Sequence, residues 1–229
     1  MARKPRFNLK GYPQYIMQRG HNKLPCFYDA DDYEYFQHCL QKSAEQYLCD
    51  VHAYVLLKNE FHVILTPLIE GAISQMMQSL GRRYVQYVNH RYHRSGTLWE
   101  GRYKSSLIDS SAFLITCSRY LELLPVDLKV VDVATDYLWS SHRKHVLAEE
   151  NPIVKEHKVY LELGESDEER CEVYRDFLGF ELDPGLKKHI SETINLEMVL
   201  GGDMFKYRIQ SMIDRPVRSS KRGRPPKSQ

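Results

Sequence analysis

No apolar run in the sequence approaches the roughly 18 residues that a membrane-spanning helix needs. The opening residues, from Met1 through Arg3, Lys4 and Arg6 to Phe7, lack the apolar stretch of a secretion signal. Neither a membrane span nor export is expected. Cysteine is scarce as well: Cys26, Cys39, Cys49, Cys117 and Cys171 are odd in number, scattered, and include no Cys-x-x-Cys pair. That excludes a disulfide framework and a cysteine zinc site, and it fits a reducing cytoplasm. What the 229 residues do contain is ordinary for a globular protein, with 42% hydrophobic and 27% charged residues. The length allows one sizeable core, or one core with a smaller appendage.

The net charge of +2 conceals strong segregation. Met1–Lys10 holds four basic residues and no acid, and Arg82–Lys104 holds six basic residues against Glu100 alone. Lys155–Asp203 has six basic and thirteen acidic residues, a net of −7, whereas Lys206–Gln229 has eight basic residues against Asp214, a net of +7. Each basic region alone is compatible with a solvated surface; three in one chain point to a polyanionic partner.

Periodicity predicts strands over Tyr12–Arg19, Val51–Leu57, Phe61–Thr66 and Arg102–Ile108, with Lys58-Asn59 as a tight turn between the second and third. The second is nearly continuous in apolar character, which predicts a central position in its sheet. Helices are expected over Asp31–Leu48, Ile73–His93 and from Asp109-Ser-Ser to Leu124, the last ended by Pro125. The order β-α-β-β-α-β-α predicts an α+β domain: an antiparallel sheet with helices packed on it, spanning residues 1–147. Residues 148–215 read as a smaller, acidic α-helical appendage, with helices over Lys155–Phe180, Leu186–Leu200 and Met204–Ile213. Residues 216–229 read as a basic tail, disordered until bound.

Four stretches can carry chemistry. Glu60 and His62, two residues apart on one strand, share a face. They are either two ligands for Mg²⁺ or Mn²⁺, or a surface carboxylate beside a hydrogen-bonded histidine. Tyr120 lies at the edge of the stripe formed by Phe113, Leu114, Cys117, Leu121 and Leu124. It is either an amphipathic core tyrosine or a nucleophile for a phosphodiester. The run from Gly81 to Lys104 interleaves Arg82, Arg83, Arg91, Arg94, Arg102 and Lys104 with aromatics, the mixture that holds phosphates and stacks bases, although some of these rings must be core. The tail carries Arg222 and Arg224 in an Arg-Gly-Arg-Pro sequence, which is similar to an AT-hook and equally fits a plain basic tail.

Longer motifs support a resemblance. They are Arg3-Lys-Pro-Arg, Tyr54-Val-Leu, His62-Val-Ile-Leu-Thr-Pro67, Met77-Gln-Ser-Leu-Gly-Arg-Arg-Tyr-Val85 and Ser95-Gly-Thr-Leu-Trp-Glu-Gly-Arg-Tyr-Lys-Ser105. To these are added Arg119-Tyr-Leu-Glu-Leu123 with Pro125-Val126, and Asp136-Tyr-Leu-Trp-Ser-Ser141. Together they resemble the REP-associated tyrosine transposases, a branch of the HUH single-tyrosine transposases, over nearly the whole first domain. The resemblance implies the ferredoxin-like HUH fold and a bacterial, cytoplasmic, nucleoid-associated protein. It implies that Tyr120 is the nucleophile, cutting single-stranded DNA beside a hairpin of a palindromic repeat and rejoining it through a 5′-phosphotyrosine. It also implies a divalent metal (Mg²⁺ or Mn²⁺) at positions 60 and 62 that polarises the phosphate.

The sequence departs from the family pattern where that chemistry is concentrated. The first motif histidine is Glu60, the preceding proline is Lys58, and the polar metal ligand four residues after the tyrosine is Leu124. Glu can replace His for a hard cation; Leu ligates nothing. The expectation therefore divides between a cleaving enzyme with a degenerate metal motif and an inactive or domesticated member that binds DNA hairpins. An RNA-hairpin binder is a weaker third, since a basic aromatic surface does not by itself distinguish sugars. The acidic appendage is expected to pack on the first domain, help read the hairpin, or join two copies as a homodimer.

Overall fold

Strand β1 (Gln14–Arg19) lies inside a four-stranded antiparallel sheet of order β2-β3-β1-β4, completed by β2 (Cys49–Leu57), β3 (Glu60–Pro67) and β4 (Lys104–Leu107). The computed structural model describes residues 6–7, 9–213 and 215–218. Helix α1 (Ala30–Gln46) joins β1 to β2, and α2 (Ala72–Arg91) joins β3 to β4. Helix α3 (Ser110–Asp127) follows β4, which yields the β-α-β-β-α-β-α order read from periodicity. Among the described residues no helix is long and apolar enough to cross a membrane.

Alternation along the strands divides the core into two layers. One face sends Ile16, Tyr54, Leu56, Phe61, Val63 and Leu65 against Phe36 and Leu40 of α1 and Met76, Leu80 and Tyr84 of α2. The other sends Tyr15, Met17, Val55, Leu57 and Ile64 against Cys117, Tyr120, Leu121 and Leu124 of α3. Burying both faces is what makes the strand sequences so uniformly apolar.

The apolar character of β2 has a different origin from the one expected. It is an edge strand of the sheet, not a central one. Its outer side is closed by irregular backbone: Leu56 N–H donates to Trp139 O at 2.9 Å, Ser141 N–H to Tyr54 O at 2.9 Å, and Lys155 N–H to Val51 O at 2.7 Å. The Asp136–Ser141 motif thus acts as a surrogate strand, which buries β2 as deeply as a central strand. A bulge between Val51 and Ala53 sends His52 to Thr66 Oγ1 at 2.8 Å and to Lys155 O at 2.7 Å.

Two helix ends also differ from expectation. Helix α3 runs through Pro125 to Asp127, because proline so near a C-terminus removes only one intrahelical donor and its φ suits the helix. The single helix expected over Lys155–Phe180 is two, α5 (Lys158–Leu161) and α6 (Asp167–Gly179), after the short α4 (His142–Leu147). Ser166 and Glu169 form a capping box that starts α6 afresh. The chain turns so tightly before it that a Cβ at Gly164 would meet Glu169 Cβ at 2.6 Å.

Helix α7 (Pro184–Asn195) is capped by Asp183, whose carboxylate accepts from Leu186 N–H at 2.8 Å. The chain then leaves the helix, and Leu200 bridges to Ile108 instead of continuing it; α8 (Asp203–Met212) follows. Residues of the acidic segment pack into the first domain. Leu182, Ile190 and Ile194 join the layer beneath α3, while Phe205 and Ile209 pack with Phe7 and Leu107.

Candidate functional site

Glu60 and His62 stand on the α3 side of the sheet, on the same face as Ile64, as their spacing predicts. What surrounds them comes from other strands. Register puts Arg19 directly opposite Glu60 and Met17 opposite His62, so Tyr15 reaches His62 along the diagonal. Arg19 Nε donates to Glu60 Oε2 at 2.6 Å, His62 Nε2 lies 3.3 Å from Glu60 Oε1, and the Tyr15 hydroxyl is 3.0 Å from His62 Nδ1. Burial alone would push the Glu60 carboxyl up. The hydrogen bonds and charges of His62 and Arg19 outweigh it and hold the group down at about 2.

Backbone contacts pin Arg19 from both sides. Glu100 N–H donates to Arg19 O at 2.8 Å, and Gly20 N–H donates to Asn59 O at 2.8 Å. At Gly20 an added Cβ would sit 2.2 Å from Leu24 O, so only glycine permits this approach.

Tyr120 is on the same side of the sheet. Its ring centroid is 6.4 Å from that of Tyr15, and the side chain is buried, with Ser191 of α7 near the phenol. Burial raises its pKa; Ser191 opposes this and the nearby Glu60 charge adds to it. Leu124, one turn further along α3, is buried in the same apolar cluster.

These side chains do not fit a divalent cation. Among the described residues no three His, Cys, Asp or Glu side chains gather as a metal site. Position 124 presents a hydrocarbon, and Glu60 already neutralises a guanidinium. That fixed positive charge repels a dication brought to the same carboxylate and offsets part of the attraction Glu60 would supply.

The basic residues of the 81–104 run separate into different places. Arg82 and Arg102 line a groove of about 630 Å³ with Arg6, Gln18, Trp99 and Tyr103. Within it the Arg6 guanidinium lies over the Tyr103 ring at 3.7 Å, and the buried Trp99 Nε1–H has no acceptor among the described residues. Arg83 donates to Gln46 Oε1 at 3.0 Å. Arg91 is matched by Asp29 at 2.7 Å and Asp31 at 2.9 Å, an ion-pair cluster that ties α2 to α1. Arg94 donates to the Tyr28 hydroxyl at 2.5 Å. Lys104 lies on the sheet face with the Glu60 cluster, and its Nζ donates to Asn195 Oδ1 at 2.6 Å. Arg222 and Arg224 lie outside the described residues.

Sequence reasoning missed Arg19 and Tyr15 at the site. The signal available was the alternation Tyr15, Met17, Arg19 on one strand face; which strand they would oppose was not. It also missed a second cluster. Glu122 is fully buried and accepts from Ser141 Oγ at 2.5 Å, from His145 Nδ1 at 2.6 Å and from the Tyr174 hydroxyl at 2.9 Å, with His142 Nδ1 at 3.4 Å. Burial disfavours its ionised form, but His145 and His142 hold the carboxyl well below the usual range.

No curated protein matches the chain by sequence. A solved structure described as a REP-associated tyrosine transposase bound to a REP hairpin is similar to it with a TM-score of 0.55. That match covers 69% of this chain and 93% of the other, at 17% identity, a likeness of fold. A provisionally named transposase from Deinococcus radiodurans R1 gives a TM-score of 0.36 over 51% of this chain and 92% of the other, at 16% identity, too distant for inference. The family model described as "Transposase IS200 like" matches residues 15–123, from Tyr15 in β1 past Tyr120 in α3. The match takes in all of β2, β3, α2 and β4 and both Glu60 and His62, so the likeness to that family covers just under half of the chain.

Proposed function

We propose that the protein binds single-stranded DNA folded as the hairpin of a palindromic repeat, and that it does so without a metal ion. The observation that carries this is the groove beside α2. It joins three arginines, Arg6, Arg82 and Arg102, to the rings of Trp99 and Tyr103. Guanidinium groups hold backbone phosphates, and aromatic side chains beside them favour unpaired bases. The fold likeness to a hairpin-bound transposase supports the same substrate class. Arg91 contributes less, because Asp29 and Asp31 already balance its charge.

A second possibility, cleavage and rejoining through Tyr120, is favoured by one observation: the tyrosine shares a sheet face with Glu60 and His62. Its burial, its raised pKa and the donor set at 60, 62 and 124 weigh against it.

Incubation with hairpin-containing single-stranded DNA separates the two, in EDTA and in Mg²⁺ or Mn²⁺. Expected is salt-sensitive binding in every buffer, with log affinity falling by about 0.7 per log unit of salt for each phosphate contact, and no covalent adduct on a denaturing gel. An adduct lost in Tyr120→Phe establishes the cleaving enzyme instead. Failure to retain any hairpin, or a stronger preference for RNA hairpins, overturns the proposal.

A further inference from the structure

We propose that Arg19 is a built-in cation that takes the place of a divalent ion at this end of the sheet and receives a phosphodiester of the bound DNA, with Lys104 as its partner. The assignment rests on the protein being a binder of single-stranded DNA.

The geometry has three parts. The guanidinium is anchored through one edge only, Nε to Glu60 at 2.6 Å, and among the described residues no other hydrogen bond engages it. The side chain keeps 28% of its surface exposed while Glu60 keeps 15%. Its two terminal nitrogens thus present the parallel N–H pair that matches two phosphate oxygens. The backbone around it is fixed by the Glu100–Arg19 and Gly20–Asn59 hydrogen bonds, so the charge is held in place before any ligand arrives. Lys104 stands opposite Met17 on the same sheet face and brings a second positive charge to the diagonal position. Glu100 and Glu197 also lie within electrostatic reach of Lys104, so the outward-facing positive charge is chiefly the partly exposed Arg19 guanidinium, which suits a phosphodiester and not a free metal ion. Glu60 in this arrangement is the clamp of the guanidinium, and His62, held by Tyr15 and Glu60, braces the clamp.

The test uses the full chain with Arg19→Gln and Arg19→Lys. Each is titrated with a fluorescent single-stranded hairpin by anisotropy over a salt series, in EDTA and in Mg²⁺ at matched ionic strength. The wild type is titrated with Mn²⁺ alone, free ion being read by electron paramagnetic resonance. Expected are equal wild-type affinities in both buffers and no Mn²⁺ uptake at micromolar concentrations. Arg19→Gln should bind about tenfold more weakly with a salt slope smaller by roughly one contact, and Arg19→Lys should recover most of both. A merely structural role would lower affinity without changing the slope. One Mn²⁺ bound by the wild type and lost in His62→Ala overturns the assignment, as does an Arg19→Gln protein of unchanged affinity and slope. If Arg19→Gln does not fold, the wild-type metal titration and the buffer comparison still decide. Absence of all hairpin binding by the wild type sinks the proposed function, whereas the Mn²⁺ titration judges the cation separately.

Discussion

Two carboxylate–histidine clusters lie in this chain and they are built to opposite ends. At Glu60 the anion sits at a strand terminus, shares one histidine, and is neutralised by a partly exposed arginine from the neighbouring strand. At Glu122 the anion lies inside α3, fully buried, with two histidines, a serine and a tyrosine directed at its two oxygens. The residue types are almost the same. What differs is the completeness of the shell: four donors from three segments close the Glu122 site, while the Glu60 site keeps a cation facing outward. A buried carboxylate with every lone pair satisfied acts as a fastening. One whose counter-charge still faces solvent can accept a partner.

The contrast should be plainest in stability. Glu122→Ala leaves two histidines, Ser141 and Tyr174 without their shared acceptor and should cost about 3–5 kcal/mol, a fall in Tm of roughly 10 °C or more. Glu60→Ala, by calorimetry under the same conditions, should cost about 1 kcal/mol, because the orphaned Arg19 can turn to water. Equal losses would erase the distinction between the clusters. Next in size is Tyr174→Phe, which removes one charge-assisted hydrogen bond from Glu122 and should cost about 2 kcal/mol.

Acid gives a third separation. The folded Glu122 carboxyl titrates below its unfolded value, so its contribution is complete above the ordinary glutamate pKa of about 4.3 and is lost as pH falls toward the folded value. The wild-type Tm should therefore decline below about pH 5, and the decline should be shallower in Glu122→Gln. A Tm profile of identical steepness in the two proteins would contradict the assignment. The smallest effect is a crossed one: Arg82→Ala should weaken hairpin binding a few-fold and reduce the salt slope by about one contact, with Tm unchanged. A change in Tm instead would make Arg82 a packing residue.

Much of the frame was legible because it depends on local pattern. The period-two and 3.6-residue stripes located the four strands and the helices α1, α2 and α3, though not the short α4, and the spacing of two located Glu60 and His62 on one face. Tyr120 at the margin of its stripe likewise ends up under the sheet with them. What stayed hidden depends on which segments meet. Arg19 becomes Glu60's partner through cross-strand register, and Glu122, at a position that reads as an ordinary helical acid, is completed by residues 19 to 52 positions away. The apolar β2 looked central because an irregular segment covers its edge, and irregular segments carry no period. The break between α5 and α6 was written in Ser166 and Glu169 as a capping box, a signal overridden by the long helical run around it.

The segment that closes β2 has a consequence for how copies of this protein meet. Tyr137–Ser141 and Val154–Lys155 occupy the hydrogen-bonding groups of β2, and at the other end of the sheet Leu200 pairs with Leu107 and Ile108 alongside β4. The β2 margin is therefore engaged within the chain, and the β4 margin is engaged at its C-terminal end. Strand-to-strand growth from one copy into the next, the route by which exposed sheets fibrillise or swap, meets backbone that is already spoken for. At the β2 edge, association between copies falls to side chains, where charge and shape discriminate among partners more finely than a repeating backbone can.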